Sequence, residues 1–224
     1  MFVHTFPSAW EGGVRVPCVV RWPGRIPAGR VSNEVQAHED IFLTLATAAG
    51  LSGIKDKLLT GTKIGDIDYK VHLDGYDNTA LWTGSSEKSG RREYFYYDET
   101  DLMALRVDNW KLSFGVKNNG TWWDPKSYPS VPYIFNLRMD PMEKMDPHSH
   151  EWGYIGRKFL AQKLWAPTAA GPFLEAHLKS LNDFPPSQGA DTLSMRPASK
   201  RDGGWMLICS RFPQCRGFLD QPNL

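Results

Sequence analysis

The stretch Asp101–Phe114, "DLMALRVDNWKLSF", sets the tightest limit on what this chain can fold into. Two runs of β-forming residues are joined by Asp108-Asn109, residue types that tolerate a positive φ, so the stretch reads as a hairpin. A lone hairpin is marginal in water and needs further strands and an apolar layer. Side chains alternate between faces along a strand, so Trp110, Leu112 and Phe114 should point together into a core. "REYFYYDE" (residues 92–99) before the hairpin and "YIFNLRMDPMEK" (residues 133–144) after it supply more strand-forming residues. These three pieces predict a small antiparallel sheet.

A helix is predicted at "GPFLEAHLKSLNDFPP" (residues 171–186). Phe173, Leu174, His177, Leu178 and Leu181 recur at helical spacing, Pro172 suits a first turn, and Pro185-Pro186 end it. Near the N-terminus Val14, Val16, Cys18, Val20 and Trp22 fall on one face of a period-two run. Arg15, Pro17, Val19 and Arg21 fall on the other, which predicts a strand. Pro17 places it at a sheet edge or a strand end.

"HEDIFLTLATAAGL" (residues 38–51) then predicts a helix, with Asp40 as N-cap, Gly50 just past the end, and an apolar stripe of Ile41, Phe42, Leu45, Ala48 and Ala49. "HLDGYDNTALWTG" (residues 72–84) predicts a short helix. The strand-loop-helix order reads as one layer of an α/β sheet. Three regions follow: residues 1–60 as the edge of an α/β domain, 61–186 as an antiparallel-sheet-plus-helix subdomain, and 187–224 as an irregular basic tail.

Composition narrows the functional classes. A net charge of +1 gives no whole-chain argument for nucleic acid or an anionic membrane surface. No apolar run approaches the roughly 18 residues of a membrane span. The opening residues "MFVHTFPSAW" lack the pattern of a secretory signal. Three cysteines, Cys18, Cys209 and Cys215, are too few for a disulfide framework.

The densest chemical cluster is Trp10-Glu11-Gly12-Gly13-x-Arg15. Paired glycines let backbone approach a ligand, and the acid and arginine could set up an anion-facing wall, or simply a tight turn with a surface ion pair. His148-x-His150 has metal-pair spacing inside what reads as a surface loop. Asp98, Glu99 and Asp101 could hold an acid/base pair but read as an exposed loop before a strand. In the loop of residues 113–133, Trp122, Trp123 and Tyr133 could stack on an aromatic or sugar ring, or pack as ordinary loop residues.

The succession of motifs resembles the formylglycine-dependent sulfatases, bacterial arylsulfatases in particular. The matching pieces are "WEGGVRVPCVVRWPGRIPAG" (residues 10–29), "HEDIFLTLATAAG" (38–50), "KVHLDGY" (70–76), "DLMALRVDNWKLSF" (101–114) and "IFNLRMDPMEK" (134–144). The resemblance covers residues 8–186 and is to the family's C-terminal part. It implies an α/β fold: the end of an alkaline-phosphatase-like α/β sheet, then a small antiparallel sheet packed with a C-terminal helix. It also implies hydrolysis of sulfuric esters, in the manner of an arylsulfatase. In the family a Cys or Ser in a Cys/Ser-x-Pro-x-Arg motif becomes formylglycine, whose hydrate attacks sulfur, and calcium on Asp and Asn oxygens polarises the sulfate.

That nucleophile motif does not occur here: Cys18 is followed by Val19-Val20-Arg21, and Cys209 by Ser210-Arg211-Phe212. The calcium ligands of full-length relatives are not expected in this chain either, so no catalytic residue, metal ligand or cofactor is expected within it. The family's sulfate-contacting lysine, four residues before the aromatic of the first motif, corresponds to Phe6. Leu43 stands where the family usually has proline.

The expectation is a sulfatase-family protein truncated to its C-terminal part and inactive alone. Its partner would be a sulfate-ester small molecule if an upstream segment completed the site, with neither membrane nor nucleic acid expected. Candidate substrate-side residues are His4, Glu11, Arg15, Trp122 and Trp123. Relatives are often periplasmic or secreted, and this chain leaves its compartment open.

The tail offers an alternative. "WMLICSRFPQCRGF" (residues 205–218) resembles the second half of the four-cysteine zinc ribbon of topoisomerase C-termini, with Cys209 and Cys215 as a zinc half-site. In that reading the protein is a non-catalytic module whose basic tail binds zinc or nucleic acid. An autonomous hydrolase using His4, Glu11 and Arg15 would need a nucleophile that the sequence does not offer.

Overall fold

The computed structural model describes residues 9–117 and 123–185. The described chain runs α1 (Glu11–Val14), α2 (His38–Ala48), α3 (Ile54–Thr60), β1 (Thr62–Ile64), β2 (Ile67–Tyr69), α4 (Thr79–Thr83), β3 (Glu93–Asp98), β4 (Asp101–Val107), β5 (Trp110–Ser113), β6 (Tyr133–Asn136), α5 (Gly153–Gln162) and α6 (Ala166–Asp183). Two compact units divide it, one built from residues up to Val16 with Phe95–Leu181, the other from Pro17–Tyr94 with Asn182–Phe184.

The first unit contains the antiparallel sheet, in the order β3-β4-β5-β6. Asp108 takes φ 51° in the β4–β5 turn, the left-handed conformation the sequence required there. The register sets Leu105 opposite Leu112 and Val107 opposite Trp110, and then Leu112 opposite Ile134. These residues share one face, which packs with Leu102 and Phe114 on Ala166, Ala170, Leu174 and Leu178 of α6. Here period two in the strands meets a three-to-four spacing in the helix, and both bury the same layer.

The opposite face follows from the same register. Ala104 pairs with Ser113, Arg106 with Lys111, and Lys111 with Phe135. Phe135 and Tyr133 on this face form a second apolar cluster with Trp10, Val116 and Leu137. Trp10 meets the edge of the Phe135 ring at 5.8 Å, and its indole N–H donates to the carbonyl of Lys117 at 3.1 Å. The sheet is thus covered on both sides, by α6 on one and by the turn around α1 on the other.

Several sequence expectations need correction. The helix near the C-terminus begins at Ala166, so Pro172 lies inside it rather than in its first turn. A helix not foreseen from the sequence, α5, precedes it. Its glycines are packing requirements: a Cβ on Gly156 would lie 2.0 Å from the carbonyl oxygen of Met145. The expected strand over Val14–Trp22 does not form, and residues 15–22 carry no regular secondary structure.

In the second unit, α2 forms as expected, but its inner face is not the predicted stripe. Leu43, Asp40 and Thr44 are buried, whereas Ile41, Phe42 and Leu45 are exposed. Asp40 is not the N-cap; that position is Ala37, and Asp40 sits at the third helical position with its carboxylate accepting from the Ala37 N–H at 2.8 Å. The cause is Arg91, which inserts its guanidinium into this face. Arg91 Nη2 donates to Asp40 Oδ1 at 2.6 Å and Nε to Oδ2 at 2.9 Å, so an ion pair occupies the place where apolar packing was expected.

Candidate functional site

The first described residues, Ala9–Val14, form a single helical turn with long-range tethers. Lys111 Nζ donates to the Ala9 carbonyl at 2.6 Å, and the Glu11 N–H donates to Glu143 Oε2 at 2.7 Å. The Tyr96 hydroxyl donates to Glu11 Oε1, Arg106 lies 3.5 Å from Glu11 Oε2, and the Trp10 indole holds the Lys117 carbonyl. Lys111 Nζ also sits 2.7 Å from Glu143 Oε1. Glu11, Lys111 and Glu143 are exposed by only 1%, 0% and 2%.

Electrostatics explain why this turn lies here. Arg106 and Lys111 are directly opposite one another on neighbouring strands, and like charges in that register repel. Buried without acids, they would be very unfavourable. Glu11 and Glu143 enter from outside the sheet and make two acids against two cations. The arrangement still leaves its mark on titration: burial raises the Glu143 carboxyl above its ordinary value, outweighing the pull of Lys111. Burial, followed by the neighbouring Glu11 carboxylate, holds the Tyr96 phenol well above its usual range.

This cluster is a clamp, inaccessible to a ligand. It turns Glu11 inward, not toward an open wall, and Glu11 does not pair with Arg15. Arg15 lies just past the turn and is exposed, its N–H donating to the Glu11 carbonyl at 2.9 Å. The clamp therefore fixes the backbone that presents Arg15 to solvent. Of the other candidate substrate-side residues, Trp123 is exposed by 85%, and His4 and Trp122 lie outside the described residues. Tyr133 is not available to stack on a ring, being buried among Trp10, Phe135 and Leu137, and burial pushes its hydroxyl up to about 12.

Of the acids expected in an exposed loop, Glu99 is exposed in the turn, whereas Asp98 ends β3 and Asp101 begins β4. Asp98 is buried, with Oδ2 2.8 Å from Lys117 Nζ, and Glu99 takes φ 59° in a tight turn between β3 and β4. Lys126 Nζ lies 2.7 Å from Asp101 Oδ2 and 3.3 Å from Glu99 Oε2. Burial opposes the charge on Lys126, but the Asp101 hydrogen bond together with the charges of Asp101, Asp98 and Glu99 outweighs it and raises its pKa. Two ammonium groups thus neutralise these acids from within the protein. His148 and His150 are both exposed in a run of turns. Among the described residues no group of three or more His, Cys, Asp or Glu could hold a metal ion. Cys209 and Cys215 lie outside the described residues.

The second unit has its own buried charge centre. Asp40 accepts from Arg91, from the Tyr76 N–H at 2.8 Å and from the Asn78 side-chain amide at 3.3 Å. Thr44 Oγ1 accepts from the Asn78 N–H at 3.0 Å, and Glu39 stands 3.1 Å from Arg91. Tyr76 donates its hydroxyl to Glu93, and burial with that bond raises it to about 12. Asp40 and Arg91 are both buried and meet each other, so this centre ties α2 to the Gly75–Arg91 segment.

Sequence reasoning missed Arg106, Lys111, Glu143, Tyr96 and Arg91. One signal was present: Arg106 and Lys111 sit symmetrically about Asp108-Asn109, so any two-residue hairpin pairs them and calls for acids.

No family model matches the chain. Comparison with curated proteins finds arylsulfatase D of Homo sapiens, 31% identical over 229 residues, covering 93% of this chain and 34% of that protein. Steryl-sulfatase of Mus musculus is 35% identical over 160 residues, covering 60% of this chain and 22% of that protein. N-acetylgalactosamine-6-sulfatase of Canis lupus familiaris is 29% identical over 156 residues, with 61% and 27% covered. Among solved structures, the PsFucS1 sulfatase from Pseudoalteromonas sp. aligns with a TM-score of 0.60 and 26% identity, over 84% of this chain and 34% of that one. The chain spans about a third or less of the length of these relatives. Their agreement in sequence and in fold, over most of the chain, leads to one conclusion: it belongs to the sulfatase family.

Proposed function

We propose that this chain serves the hydrolysis of sulfuric esters as the substrate-facing part of an arylsulfatase-like enzyme, supplying neither the nucleophile nor the metal ligands. The observation that supports it best is the alignment with a solved sulfatase over 84% of the chain. Arg15, held at the mouth of the clamped turn, is the group suited to contact the sulfate anion, because a guanidinium offers paired donors to an oxyanion. Trp123 is an exposed ring available to a substrate's apolar part. Calcium belongs to the chemistry of full-length relatives. The described acids do not fit it, since Asp98, Glu99 and Asp101 face Lys117 and Lys126, and no step is derived through it.

The test is turnover of 4-nitrophenyl sulfate by the purified chain, with and without added calcium. The expected result is no turnover by the chain alone. Turnover that Arg15→Ala abolishes would replace this reading with an autonomous hydrolase. The zinc or nucleic-acid module is not favoured, because the sulfatase relatives account for most of the chain.

A further inference from the structure

The start of α5 and the bend between α5 and α6 carry an open aromatic surface. Trp152 and Trp165 are exposed by 44% and 52%. Helical spacing sets Trp152 and Phe159, two turns apart, on one side of α5. Trp110 of β5 joins them to the bend: its ring stacks on Phe159 at 6.1 Å and meets Trp165 edge to face at 5.1 Å. Trp110 and Phe159 also pack on the core layer between the sheet and α6, which braces the rings from behind.

The surface is edged with positive charge. Lys163 Nζ lies 5.9 Å from the centre of the Phe159 ring, and Lys158 is exposed beside it. From Trp152 to Leu174 the sequence holds Arg157, Lys158 and Lys163 and no acid. Among the described residues neither Lys158 nor Lys163 meets a carboxylate, whereas Lys111, Lys117 and Lys126 each do.

Braced rings edged by uncompensated ammonium groups suit a ligand that is apolar on its faces and anionic at its rim. A pyranose bearing a sulfate ester has that form, with C–H groups on its faces and an oxyanion at its edge. We infer that Trp152, Phe159, Trp110 and Trp165, with Lys158 and Lys163, bind a sulfated polysaccharide, the rings stacking on its sugars and the lysines pairing with its sulfates. This rests on the sulfatase reading proposed above and gives it a substrate class, the polymeric sugar sulfates. Charge selects this occupant. A second copy of this chain would bring cation against cation. A membrane is the poorer partner, because an interfacial helix buries a continuous apolar face, whereas the exposed side of α5 sets Arg157, Lys158 and Gln162 after Tyr154.

The experiment titrates the full chain with dextran sulfate by calorimetry, alongside dextran, polyglutamate and phosphatidylglycerol vesicles. Dextran sulfate is expected to bind about tenfold or more tighter than dextran or polyglutamate. Trp165→Ala should weaken that binding by about tenfold, the loss of one stacked ring, and Trp165→Phe should restore most of it. Lys158→Glu with Lys163→Glu should abolish it. Amide protection in β4–β6 that matches the wild type shows that each variant folds.

Dextran sulfate binding that survives both the Trp165→Ala and the paired lysine changes overturns the inference. So does polyglutamate binding as tight as that of dextran sulfate, which would leave a bare polyanion contact. Vesicle binding that is lost in the same variants also overturns it and assigns the face to lipid. Turnover of 4-nitrophenyl sulfate is measured on the same samples. Turnover by the chain alone that Arg15→Ala abolishes would overturn the functional proposal and leave the polysaccharide site standing.

Discussion

Lys111 shows how much one residue can hold. Its ammonium bridges Glu143, lies 3.5 Å from Glu11 and caps the Ala9 carbonyl, all within a site it shares with no water-exposed group. Lys111→Met would leave the buried Glu143 carboxylate without its cation, and breaking a buried pair in this way costs about 3–5 kcal/mol. Urea denaturation is expected to show that loss. Lys111→Arg would not rescue it, because a planar fork does not fit a pocket shaped for a point charge.

Glu143 carries the pH dependence. Its folded-state pKa lies above the ordinary 4.5, so the folded protein binds its proton more readily than the unfolded chain. Its contribution therefore favours folding at low pH and is lost as pH rises from 4.5 through the raised value. Denaturation of the wild type and of Glu143→Gln at a series of pH values should show the wild type gaining on the variant as pH falls through that window. A difference independent of pH would mean that Glu143 keeps an ordinary pKa.

At the scale of elements, α5 and α6 make opposite predictions. Gly156→Ala would drive a Cβ against the Met145 carbonyl, a backbone atom that cannot step aside. The cost expected for such overpacking is about 1–3 kcal/mol. Pro172 in α6 removes an N–H from the helix interior. Pro172→Ala is expected to raise the melting temperature, with at most about 3 kcal/mol available from restored helix propensity. Thermal melts followed by circular dichroism check both.

These elements also show what the sequence could and could not disclose. The β4–β5 hairpin, its turn and β6 were legible because local chemistry and tertiary packing ask for the same thing. The start of α6 was not, because Pro172 is a strong local signal that packing of Ala166 and Ala170 overrides. The strand over Val14–Trp22 was misread for a different reason: its pattern is right for a strand, but no partner strand lies among the described residues. Glu11 was singled out as chemical and is chemical, but its partners lie 85 to 132 positions away, where no local pattern reaches.

At the scale of the molecule, each compact unit holds a buried charge centre among the described residues, one around Lys111 and one around Arg91. If each holds its own unit, Arg91→Ala should raise amide exchange in α2, α3 and α4 while leaving β4 and β5 protected, and Lys111→Met should do the reverse. Exchange that rises everywhere in both variants would instead make the chain a single cooperative body.

The clamp around Glu11 has a temporal consequence as well. The turn at Ala9–Val14 emerges from the ribosome before any of the strands it closes over, and its tether to Glu143 spans 132 positions. Loop closure over such distances is slow compared with local hairpin formation. The turn is therefore buried only after the strands it closes over are made, and until Glu143 is synthesised Lys111 waits without its nearest acid.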